Sequence, residues 1–69
     1  AYAKAYSNRG LAYEKMGELK LAVADFSRAI ELDSDPLSSA YNDRGRIYGK
    51  LGNYEQAIAD FNQALELDP

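Results

Sequence analysis

Two arginines and two aspartates stand at matched spacings in this chain, Arg9 with Asp25 and Arg44 with Asp60, the partners 16 residues apart in each case. A guanidinium is a planar fork of N–H donors. It can close on a carboxylate with two parallel hydrogen bonds, or hold an anion supplied from outside. Both residues recur at identical offsets in the two halves of the chain, which favours the first use, a clamp between neighbouring elements. On that reading, removing Asp25 or Asp60 lowers stability more than it lowers affinity for any ligand. An anion-binding arginine in a groove is the open alternative.

Other chemistry is sparse. There is no His and no Cys, so the most frequent general base, the thiolate nucleophile, disulfides and the most frequent metal ligands are all missing. Ser7, Ser27, Ser34, Ser38 and Ser39 have no imidazole to activate them. Asp25 and Asp60 each precede a phenylalanine at the same place in both halves, and a carboxylate duplicated in this way serves structure. The chain is expected not to be an enzyme and to need neither cofactor nor metal.

The elements that position these residues follow from an internal repeat. Residues 2–34 align on 37–69 with 15 identities in 33 positions, among them Tyr6/Tyr41, Arg9/Arg44, Gly10/Gly45, Tyr13/Tyr48, Gly17/Gly52, Ala22/Ala57, Asp25/Asp60, Phe26/Phe61 and Ala29/Ala64. Within each unit, Leu19, Ala22, Val23, Phe26, Ala29 and Ile30, and then Tyr54, Ala57, Ile58, Phe61, Ala64 and Leu65, fall at i, i+3, i+4, i+7, i+10 and i+11. That spacing lays one apolar stripe along a helix. Helices are expected near 2–16, 19–32, 36–51 and 54–67. Gly17 and Gly52 would close helix C-termini in the left-handed conformation. Asn53 with Gln56 resembles a capping box, and Asp35–Pro36 fits an N-cap followed by the first helical position. Gly10 and Gly45 lie inside helices, where glycine costs about 1 kcal/mol relative to alanine. The expected reason is close approach of the partner helix to bare backbone.

These residues carry a family resemblance. The pattern of an aromatic, Gly, Tyr, Ala, Phe, Ala and a closing Pro resembles the tetratricopeptide repeat. The first unit supplies Tyr6, Gly10, Tyr13, Ala22, Phe26 and Ala29, and the second Tyr41, Gly45, Tyr48, Ala57, Phe61, Ala64 and Pro69. Two departures stand out. Tyr6 and Tyr41 replace the family's usual Trp, and Ser34 replaces the first closing Pro in a period of 35, one longer than usual, which suggests an extra residue around Ser34–Asp35. The resemblance implies an all-α fold of two helix–turn–helix repeats, residues 1–35 and 36–69, in a short right-handed α-solenoid. It assigns Tyr6, Tyr13, Tyr41, Tyr48 and Tyr54 to packing, with Tyr2 outside the pattern.

The resemblance also implies a site. In the family the leading helix of each unit lines a concave groove. The matching positions are Lys4, Ser7, Asn8, Leu11, Lys15, Ser39, Asn42, Asp43, Arg46 and Lys50. The leading helices carry six basic residues and two acidic ones, a balance of +4 within a chain of net charge −3. A polar, mostly basic groove would suit a peptide or protein partner with acidic side chains or a free carboxylate; a solvated face with no specific role is the alternative. Some members clamp the acidic tail of heat-shock chaperones with Lys, Asn and Arg. Here Ser7, Leu11 and Asp43 stand where basic or amide groups would be wanted, so that ligand is not expected.

A second role is structural. Such repeats bury their apolar stripes against neighbours. Two units expose both ends, so self-association, end-to-end stacking into an oligomer, or helix exchange is expected. RNA binding by a related class of repeats with a similar period is disfavoured by the acidic balance and the lack of a basic stripe. No apolar run approaches the roughly 20 residues of a membrane span. The chain reads as soluble, with the cytoplasm as the default compartment and no membrane or nucleic-acid partner.

Overall fold

The computed structural model describes residues 2–33 and 38–69. Four helices follow one another: α1 (Tyr2–Lys15), α2 (Leu19–Leu32), α3 (Ser38–Lys50) and α4 (Tyr54–Leu67). Helix α1 packs on α2, α3 on α4, and α2 on α3. The fold is therefore two helical hairpins joined through their inner helices. Asp35–Pro36 and the extra residue inferred near Ser34 lie outside the described residues. Among those described, no helix is long and apolar enough to cross a membrane.

Both hairpin turns are built alike. Gly17 and Gly52 have φ of 81° and 84°, a region closed to most side chains. Their amides donate to the carbonyls of Glu14 and Gly49, and the next amides, of Glu18 and Asn53, donate to Tyr13 and Tyr48. This double bond is the Schellman closure, and it satisfies carbonyls the helix end would otherwise orphan. The expected capping box does not form: Asn53 makes no side-chain cap hydrogen bond, at φ −88° and ψ 69°. The tight turn holds Asn53 away from the extended backbone that a capping side chain requires.

Inside each hairpin the glycine expectation is met. A Cβ on Gly10 would lie 3.1 Å from Cε2 of Phe26, and one on Gly45 would lie 3.0 Å from Cε1 of Phe61. The core is centred on Ala22, Phe26 and Ile47, with Tyr13, Leu19, Val23 and Leu51 packed around it. Ile47 brings the second unit into the first unit's core and was absent from the sequence reading. Tyr54 departs from its assignment to packing, being largely exposed at the start of α4, as is Tyr2 at the start of α1. No described helix packs on the outer side of α4, so the leading end of its stripe stays in solvent.

Candidate functional site

The Arg–Asp clamps form in both units. Arg9 donates from Nε and Nη2 to Asp25 at 2.7 and 2.9 Å. Arg44 donates from the same atoms to Asp60, both at 2.8 Å. Each guanidinium also sits between two tyrosines of its own helix: Arg9 lies 5.5 and 5.7 Å from the ring centres of Tyr6 and Tyr13, and Arg44 5.7 and 5.8 Å from those of Tyr41 and Tyr48. The cause is helical spacing, because Tyr, Arg and Tyr at i, i+3 and i+7 share one face. The half-buried tyrosines thus do more than fill space; their ring faces hold the arginine flat against the carboxylate. The hydrogen bond from Arg9 holds the Asp25 carboxyl below the usual carboxylate range despite burial. The Arg44 guanidinium is pushed upward by its bond to Asp60.

The face shared by α1 and α3 has two different ends. At one end lies an open cavity of about 370 Å³, lined by Lys4, Ser7 and Leu11 of α1, Ala29 of α2, Asp33 just after it, and Ser39 and Asp43 of α3, with Ala3 and Ala40 beside them. At the other end is an ionic cluster. Arg46 donates from Nη2 and Nε to the two carboxylate oxygens of Glu14 at 2.7 and 3.0 Å. Lys50 Nζ adds a bond to Glu14 at 2.9 Å, and Arg46 Nη1 reaches Asp43 at 2.9 Å. These bonds, led by that from Arg46, hold the Glu14 carboxyl down at about 2.

Five of the ten groove residues expected from the sequence, Lys4, Ser7, Leu11, Ser39 and Asp43, therefore meet at one cavity. Arg46 and Lys50 gather away from it, while Asn8, Lys15 and Asn42 are exposed and do not line it. Within this face Arg46 and Lys50 are already paired, and Glu14 joins the expected Asp43 in bringing negative charge to it. Glu14 was missed. The signal was the repeat offset of 35, which sets Glu14 level with Gly49, between Arg46 and Lys50 on the next helix of the same kind.

Compared with known families, residues 3–36 and 38–69 each match the model of the tetratricopeptide repeat. The chain belongs to the tetratricopeptide repeat family. No curated protein matches it in a similarity search. Tetratricopeptide repeats are generally protein–protein interaction modules, and the four helices here pack pairwise as two such units. In these two repeats the Arg–Asp clamp is internal to each unit, whereas the Glu14 cluster and the cavity both lie between units.

Proposed function

We propose that this chain is a protein-interaction scaffold that takes an extended segment of a partner into the groove between α1 and α3. The observation carrying this reading is the open cavity walled by Lys4, Ser7 and Leu11 on one helix and Ser39 and Asp43 on another. Ala3, Leu11, Ala29 and Ala40 give it an apolar lining, and Lys4, Asp33 and Asp43 add charge, so it fits an aliphatic side chain flanked by polar groups. Binding is the function, with no catalytic step. Peptides selected from a random library against the chain test this. Leu11→Arg, which fills the cavity, is expected to weaken them at least tenfold, while Lys20→Glu on α2 leaves them unchanged. Equal binding to both variants would remove the groove from consideration.

One observation favours a second reading, self-stacking. Tyr54, Ile58, Phe61 and Leu65 form an exposed stripe on α4. Their counterparts on α2, among them Leu19, Val23 and Phe26, pack with Ile47 and Leu51 of α3. A helix of α3's kind therefore fits the α4 stripe, and α1 of a second copy is of that kind, with Ala12 in place of Ile47 making the contact looser than the one inside the chain. Arg44 donates to Ser27 of the preceding unit at 3.1 Å, and Arg9 of a second copy would reach Asn62 in the same register. Sedimentation should give a mass that rises with concentration and returns to monomer in Ile58→Lys/Leu65→Lys. A wild-type chain that stays monomeric at the highest concentration would end this reading.

A further inference from the structure

The Glu14 cluster has no counterpart generated by the repeat. Thirty-five residues beyond Glu14 stands Gly49, and thirty-five before Arg46 stands Leu11. The cluster is thus particular to the junction of these two units. Among the described residues, its bonds are the side-chain hydrogen bonds that join α1 to α3. Its burial is lopsided. The Glu14 side chain is only 11% exposed, while those of Arg46 and Lys50 are 44% and 50% exposed. A carboxylate lies beneath two cations that open onto solvent, with both of its oxygens engaged.

Two cations converging on one carboxylate, in a groove that also holds an open cavity, have the donor arrangement of an anion site. We propose that Arg46 and Lys50 form a carboxylate-binding subsite at one end of the groove, and that Glu14 fills it as an internal ligand which an acidic partner segment must displace. The proposal rests on the α1–α3 groove being a binding face. Glu14 is tethered to the site by the fold, so its effective concentration there is about millimolar or above. A dilute acidic peptide loses that competition. A neutral segment bound at the Leu11 cavity meets no such competitor. The groove therefore discriminates against acidic ligands even though its leading helices are rich in cations.

The test is a titration of the 69-residue chain with a capped tetraglutamate peptide, following the backbone amide resonances of Gly49 and Lys50, which every variant retains. Glu14→Gln keeps the shape, removes the charge and should bind the peptide roughly tenfold more tightly than wild type. Arg46→Gln in the Glu14→Gln background should abolish the gain. A thermal melt checks that Glu14→Gln stays folded; if it does not, Glu14→Asp, which shortens the arm and retains the charge, should show a smaller gain. No gain in the folded variant, or a gain that survives Arg46→Gln, overturns the proposal. A library-selected uncharged peptide keeps the two readings apart. If it binds at Leu11 while tetraglutamate gains nothing, the subsite fails alone; if neither binds, the groove reading fails with it.

Discussion

The two units share nearly half their residues and the same hairpin geometry, yet equivalent side chains meet different surroundings. Phe26 is wholly buried, and its counterpart Phe61 is 38% exposed. Arg44 is 20% exposed, and its counterpart Arg9 is 59% exposed. In each pair the shielded member faces the junction, where α2 meets α3. The main intra-unit contacts recur in both copies: each phenylalanine lies over its glycine and each arginine bridges to its aspartate. The neighbouring unit thus decides how much a given contact contributes, as expected for a repeat array whose stability is a sum of unit and interface terms.

Substitutions at paired positions break or sharpen this comparison. The largest difference is expected at the phenylalanines. Phe26→Ala should destabilise by about 3–5 kcal/mol, as for a buried aromatic, and Phe61→Ala by no more than about half of that. Urea unfolding of both variants measures it, and equal losses would show that the junction adds nothing.

The clamps come next. Asp60→Ala strands the partly shielded Arg44 and should cost about 3 kcal/mol. Asp25→Ala leaves Arg9 free to turn to water and should cost clearly less. Thermal melts that rank the two the other way would contradict the burial difference. Neither variant should lose library-selected peptides to the same degree as Leu11→Arg.

How much of this was legible in the chain follows from what kind of contact each feature is. Helix positions, the Gly10/Phe26 and Gly45/Phe61 contacts and both Arg–Asp clamps are intra-unit and duplicated, so each was written twice and the repeat exposed them. The junction is written once. Ile47 has Ala12 as its counterpart and Glu14 has Gly49, so the repeat pattern averages them away. Tyr54 misled for a related reason. It aligns with Leu19, which has the second unit to pack against, whereas Tyr54 has no such neighbour among the described residues. The groove was half legible: helical phase brought five residues to one cavity, but pairing within the face could not be read from charge alone.

Smaller effects sharpen the picture further. Gly45→Ala gains about 1 kcal/mol of helix propensity, but its methyl would press on both Phe61 and Asp60 Cβ. Overpacking costs about 1–3 kcal/mol, so a net loss is expected. The nearest atoms to a methyl on Gly10 all belong to the Phe26 side chain, at 3.1–3.2 Å, so Gly10→Ala should lose less. Equal stabilities by denaturant melts would imply that the Asp60 contact is without effect.

The smallest effect is in acid. Glu14 binds its proton more weakly in the folded chain than in the unfolded one, so its contribution is present above the ordinary glutamate range. That contribution is lost as pH falls through that range toward about 2. Asp25 acts in the same direction. Glu14→Gln should flatten the acid limb of a stability-against-pH curve; an unchanged slope would mean the cluster is not formed in solution.

Ile47 gives the molecule a direction. If the chain were re-spliced so that the second hairpin preceded the first, Phe61 would confront Ala12 where Phe26 now meets Ile47, leaving a hollow several carbons wide. Glu14 would lose Arg46 across the seam and meet nothing in exchange. The two hairpins look like interchangeable bricks, but one order of laying them makes the tighter wall.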